Sequence, residues 1–142
     1  MLFDPSVWGP HYWFFLNTVA RSYPEHPTKT TQRKYYDLIQ NMPLFIPNEE
    51  MGNKFSHMLD KYPVSPYLDN RDSFVRWVHF IHNKYNFSLG KEEYSLQTGL
   101  DKYEAEYNPK PIYLSNIINM RKHYIHIALI LICVFLIYVY YE

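Results

Sequence analysis

An all-α fold follows from three properties of the chain. Apolar residues recur at helical spacing in four segments, prolines separate those segments, and residues suited to capping a helix stand before the second. Glycine is scarce, with 4 in 142 residues, and aromatic residues make up 19%, so the chain is expected to pack into an ordered core. That length allows one compact domain and a tail. The predicted architecture is a bundle of four to five short helices followed by a single C-terminal transmembrane helix.

The first helix is predicted over residues 11–23 after a short arm at 1–10. Trp13, Phe14, Leu16, Val19 and Ala20 face inward, and Pro24 ends it. Residues 28–31 supply N-caps for a second helix at 32–42, with Tyr35, Leu38, Ile39 and Met42 on one face before Pro43 breaks it. A third helix starts near Asn48 and stops before Pro63, with Met51, Phe55, Met58 and Leu59 inward; Glu49 and Glu50 suit the positive end of its dipole. The fourth spans 72–85 and turns Phe74, Trp77, Val78 and Ile81 to the core. A short fifth helix is expected at 92–103, and a linker at 105–110.

The C-terminus is different in kind. Residues 125–141 read IHIALILICVFLIYVYY, an uncharged run of about the length needed to span a bilayer, where roughly 17–25 residues are expected. Arg121, Lys122 and His123 form a basic collar before it, and Tyr138, Tyr140 and Tyr141 suit the far interface. The competing reading is a buried core helix or strand. With the collar counted, the run is expected to anchor the chain in a membrane as a single pass. The N-terminal domain would then lie on the cytoplasmic side, with Glu142 alone beyond the bilayer. No secretory signal peptide is expected at the N-terminus. The organisation that follows is a helical domain at 1–104, a linker and collar at 105–122, and an anchor at 123–142.

Charge excludes one class of partner. Lysine and arginine total 14, matched by 14 acidic residues, so no clustered basic face marks a nucleic-acid site. No serine–histidine–acid arrangement or glycine-rich phosphate loop is present. Asp69, Arg71 and Asp72 read as a solvated cap. Cys133, the only cysteine, sits inside the apolar run, so no dithiol, internal disulfide or cysteine metal cluster can form. Palmitoylation of that thiol is a weak possibility.

Two segments carry candidate binding residues. The first holds Trp8, Gly9, Pro10, Tyr12, Trp13 and Asn17, followed by Tyr23 and Pro24; the second holds Trp77, His79, His82, Asn83 and Asn86, followed by Leu89, Gly90 and Lys91. On a helix, His79, His82, Asn83 and Asn86 share one face. Beside Trp13, that face suits a flat heteroaromatic ligand, the ring stacked on the indole and its edges bonded by amides and imidazole. His79 and His82 also have the spacing of a helical metal pair, yet no third ligand stands at an obvious position, so no metal is expected. A plain polar helix edge explains the same residues.

These motifs together resemble the Erv/ALR family of FAD-linked sulfhydryl oxidases, including the small versions encoded by large double-stranded DNA viruses. The resemblance covers roughly residues 8–103. It implies a helical bundle cupping the flavin, with Trp13 at the flavin, Gly9 and Tyr12 near it, and His82, Asn83, Asn86 and Lys91 on the adenine–ribose–phosphate portion. Asn17 falls where the family commonly has histidine, Tyr85 replaces a small aliphatic residue, and Trp77 is a core or adenine-side aromatic. The family's Pro-Cys-x-x-Cys is here Pro43-Leu44-Phe45-Ile46-Pro47, so Leu44 and Pro47 stand at the cysteine positions. A further family cysteine falls at His79, and its partner near Leu96. Without a thiolate there is no nucleophile for a disulfide and no charge-transfer contact to the flavin.

The resemblance therefore implies a redox-inactive oxidase-like bundle with no catalytic residue, held on a membrane as a minor virion component that links inner membrane to capsid. Its expected partners are the membrane, capsid or virion proteins, and a second copy of the chain. The alternative is a flavoprotein that keeps FAD and works with a partner's cysteines. Whether FAD binds is left open, and no other cofactor is expected. A binding protein for another small aromatic ligand is the third reading.

Overall fold

Asp4 opens α1 (Pro5–Arg21) by accepting a hydrogen bond from the Ser6 N–H at 2.8 Å, and Pro5 fills the first helical position, where a missing N–H costs nothing. The helix thus begins six residues before the sequence-predicted start at 11. Pro10 does not delimit it, because so near the N-terminus its ring forfeits a single intrahelical bond, which the cap offsets. The computed structural model describes residues 3–108 and 114–141.

Thr28 caps α2 (Lys29–Asn41) by accepting from the Thr31 N–H at 3.1 Å. Pro43 does end this helix, but the chain tightens into a 3₁₀ turn at Met42–Phe45 and does not open into a loop. Asn48 caps α3 (Glu49–Lys61), and Asn70 caps α4 (Arg71–Ser88), each through a 2.9 Å bond to the N–H three residues on. Gly90, with φ +69°, takes the left-handed conformation that ends α4; its N–H and that of Lys91 close onto the carbonyls of Phe87 and Asn86. Residues 92–95, expected to be helical, are not. Ser95 accepts from the Thr98 N–H, so α5 (Leu96–Ala105) starts four residues later than its sequence prediction. Pro109 and Lys110 of the expected linker lie outside the described residues, as does Glu142.

Residues 1–105 form one compact unit and 106–142 a second. In the first, α1 packs chiefly on α4, and α3 leans on both α4 and the 3₁₀ turn. The core contains Leu16, Ala20, Ile39, Met42, Phe55, Leu59, Phe74, Trp77, Val78 and Ile81, all expected inward from periodicity, whereas Phe14 and Leu38, also expected inward, are half-buried outside it. Of the other residues expected inward, Trp13, Val19, Tyr35, Met51 and Met58 pack against it while half-buried. Tyr23 adds a polar lock. Its buried hydroxyl donates to the Leu68 carbonyl at 2.8 Å, Gln32 Nε2 donates to the same carbonyl, and Arg71 Nε donates to the Tyr23 carbonyl. Tyr23→Phe is expected to lower stability by about 1 kcal/mol, since one buried hydrogen bond is lost with no change in ring packing; chemical denaturation measures this.

In the second unit, α6 (Leu114–Tyr141) starts well before the expected anchor at 123 and absorbs the basic collar into the helix. Met120–Tyr141 is the one helix among the described residues long and apolar enough to cross a membrane. Its mean hydropathy is 2.3, and none of its most apolar stretch is buried within the chain. A core helix would be buried, so the competing sequence reading is not met. Cys133 is exposed on this helix.

Candidate functional site: an aromatic and imidazole cluster between α1, α4 and α5

Packing of α1 on α4 brings Trp13 onto His82. The rings stack with centroids 4.0 Å apart and planes 12° from parallel. Phe55 from α3 and Tyr85 from α4 meet the same indole edge-on, at 6.1 and 5.8 Å. Tyr85 is 5% exposed and donates its hydroxyl to the Met51 carbonyl at 3.2 Å; burial pushes its pKa up to about 12, so it stays a phenol.

The non-helical residues before α5 cover the other edge. The Tyr94 hydroxyl lies 2.8 Å from His82 Nδ1. Asn83 grips the backbone of the same residue: its Nδ2 donates to the Tyr94 carbonyl at 2.8 Å, and the Tyr94 N–H donates to its Oδ1 at 3.3 Å. Asn83 Nδ2 also lies 3.2 Å from His79 Nε2. The His79 ring fits against Gly99 so closely that an added Cβ would stand 2.9 Å from Nδ1. Burial holds both imidazoles below the ordinary histidine pKa. For His82 the value falls to about 4, with the charges of His79, Lys102 and Lys91 acting in the same direction after desolvation. Both rings are neutral at neutral pH.

The sequence-predicted residues separate into two groups. Trp13, His79, His82 and Asn83 converge in one cluster. The others have different tasks or positions. Tyr12 donates to the Phe45 carbonyl at 2.7 Å and ties α1 to the 3₁₀ turn. Asn17 Nδ2 donates to the Trp13 carbonyl one turn back in its own helix. Asn86 is buried, and its carbonyl accepts the Leu89 and Lys91 N–H groups. Lys91 is exposed, reaching His82 only through its charge. An added Cβ at Gly9 would meet no atom within 4 Å, so nothing there calls for glycine. Tyr94 and Gly99 escaped sequence reasoning. Tyr94 falls within the helix expected at 92–103 but does not join it, and nothing in the sequence singles out Gly99. Among the described residues, no three His, Cys, Asp or Glu side chains gather as a metal-binding set. Leu44 and Phe45 are 79% and 63% exposed at the outer edge of the 3₁₀ turn.

The fold is a bundle of short helices whose first and fourth members meet through an indole–imidazole stack. The family model described as Erv1 / Alr family matches residues 10–108, and the chain belongs to that family. It is 29% identical over 108 residues to a probable FAD-linked sulfhydryl oxidase of Acanthamoeba polyphaga mimivirus, covering 75% of this chain and 76% of that one. A putative FAD-linked sulfhydryl oxidase of Invertebrate iridescent virus 3 is 23% identical over 108 residues, with coverage of 76% and 73%. The mitochondrial FAD-linked sulfhydryl oxidase of Schizosaccharomyces pombe is 31% identical over 94 residues, 66% of this chain but 52% of that relative. The fold matches the crystal structure of the FAD binding domain of Erv1 from Saccharomyces cerevisiae with a TM-score of 0.66 at 22% identity, over 75% of this chain and 99% of that one.

The cluster's side chains are engaged with one another. Trp13 and His82 are in ring contact, so no third ring fits between them. The Asn83 amide, expected to bond a ligand's polar edge, is committed to the Tyr94 backbone and His79. As folded, Trp13, His82 and Asn83 make their ring and hydrogen-bond contacts inside the cluster. Lys91 and Lys102, both close enough to affect His82, are the features that suit a phosphate.

Proposed function

We propose that this chain is a redox-silent member of the Erv1 / Alr family that serves as a membrane-held interaction protein. In a large DNA virus it would be a minor virion component joining the inner membrane to the capsid shell. The carrying observation is the chemistry at positions 44 and 47: leucine and proline stand where the resemblance places a reactive dithiol, and the chain's single sulfhydryl lies in the apolar helix. A disulfide is made or exchanged only through attack by a thiolate, and hydrocarbon side chains have none. The virion setting draws on the mimivirus and iridescent-virus relatives. Membrane attachment draws on Met120–Tyr141, and the basic Arg121 and Lys122 favour the cytoplasmic side for the helical domain. We take residues 1–104 as the interaction domain, 105–122 as linker and collar, and 123–142 as anchor. Capsid or virion proteins and a second copy of the chain are its proposed partners.

The test is peroxide production by the purified full chain, supplied with FAD and dithiothreitol under air. The expected rate equals that of FAD and dithiothreitol alone. Steady production above that background overturns the assignment.

A second reading keeps FAD and borrows a partner's cysteines for disulfide formation. The names of the relatives and the fold shared with an FAD binding domain favour it. FAD added to the full chain would then quench tryptophan fluorescence saturably through Trp13, and Trp13→Leu would abolish the response. No saturable quenching removes this reading.

A further inference from the structure

Helix α5 has no fully buried residue, and its apolar side chains Leu96, Leu100 and Tyr103 are half-buried. Its attachment runs through aromatic stacking and polar contacts. Tyr103 stacks on Phe14 at 5.2 Å and its hydroxyl meets Thr18 Oγ1 at 3.0 Å; Arg21 pairs with Glu104 at 2.8 Å. Just before the helix, His82 and Asn83 hold Tyr94, and His79 seats against Gly99. We propose that residues 91–105 form a strap clasped to α4 by neutral His79 and His82, which acid releases, uncovering the Trp13–His82 stack and the Phe14 face of α1. This inference does not depend on whether the chain is redox-silent.

The geometry makes the clasp intolerant of protonation. His79 and His82 lie one turn apart on α4, the second pressed between the Trp13 face and the Tyr94 hydroxyl. The surrounding cations offer no relief: Lys102 lies over the Tyr94 ring at 4.2 Å, and Lys91 also raises the positive field at His82. The nearby carboxylates are engaged elsewhere or make no bond to the cluster. Glu93 pairs with Lys84 from α4, Glu104 pairs with Arg21 from α1, Asp101 accepts from Gln97, and Glu92 is exposed. From α3, the cluster meets the uncharged Phe55. Among the described residues, no carboxylate forms an ion pair with either imidazole.

The sign follows from the depressed pKa values. A released strap moves both histidines toward the ordinary value of about 6.5, whereas the closed cluster holds His82 at about 4 and His79 also below normal. The open state therefore binds more protons below about pH 6.5, and closure weakens as pH falls from there toward 4. The Trp13 face favours an imidazolium and offsets part of the effect. Between about pH 7 and about pH 5, strap opening is expected to rise on the order of tenfold.

Hydrogen exchange of the full chain in detergent, corrected for the intrinsic rate at each pH, tests this. Amides of 92–105 are expected to lose protection about tenfold in acid while α2 and α3 keep theirs. No change in the strap, or equal loss throughout 1–105, overturns the proposal. His82→Gln and His79→Gln together should reduce the acid response to less than about twofold; an undiminished response overturns it. Should that variant be open already at neutral pH, Lys91→Gln with Lys102→Gln decides the matter. Removing those charges is expected to weaken the acid response by at least about twofold, and an unchanged response counts against the clasp.

Discussion

Phe74→Ala is expected to destabilise the helical unit by about 4 kcal/mol, the middle of the range for deleting a buried aromatic ring. Phe74 is fully buried and is the hub of an aromatic cluster. Its ring meets Tyr23 at 5.2 Å, Tyr35 at 6.0 Å and Trp77 at 6.2 Å, linking the end of α1, the middle of α2 and the start of α4. Two of these neighbours are pinned and cannot collapse into the space. Tyr23 is bonded to Leu68, and Trp77 Nε1 donates to the Tyr62 carbonyl at 3.1 Å. Denaturant unfolding followed by circular dichroism measures the loss. A cost below about 1 kcal/mol would mean that the cluster rearranges freely, contrary to its polar anchoring.

Gly52 carries the second large effect, for the opposite reason. A Cβ there would stand 2.8 Å from the Pro43 carbonyl oxygen, a backbone atom that can move only if the 3₁₀ turn moves with it. Alanine favours a helix interior over glycine by about 1 kcal/mol. Here the contact reverses that preference, and Gly52→Ala is expected to cost about 1 kcal/mol net, while Gly52→Val costs about 3 kcal/mol. A Gly52→Ala chain more stable than the parent would show that α3 and the turn are not in fixed contact. The same close approach, with the Tyr12 bond to Phe45, holds Leu44 and Phe45 outward on the surface.

Much of the fold could be read in the residues because its determinants are local. The four principal helices have capping side chains at their first turns, and Leu16, Ile39, Phe55 and Phe74 lie on apolar stripes that demanded burial. Where a proline had two permitted roles, the sequence misled. Pro10 resembles a boundary but is tolerated near a well-capped start, and Pro43 ends α2 by tightening the chain into a 3₁₀ turn. The start of α5 was missed because Glu92 and Glu93 favour a first turn, yet Tyr94 is drawn out of helical geometry by Asn83, eleven residues earlier.

The candidate site was legible in the same limited way. Helical spacing placed His79, His82 and Asn83 on one face, and the face does meet Trp13. What covers it could not be seen, because Tyr94 and Gly99 reach it only through the path of the chain between α4 and α5. A face read as open to a ligand is thus largely satisfied from within.

The proposed absence of a sulfur path is tested most directly by anaerobic reduction of FAD. Full-length protein, FAD and excess dithiothreitol are mixed without oxygen, and the flavin's visible absorbance is followed against a protein-free control. The two decays are expected to coincide, with the Cys133→Ala chain identical to both. Faster bleaching with protein, whether or not it survives Cys133→Ala, would establish a route for electrons from thiol to flavin and contradict the redox-silent assignment.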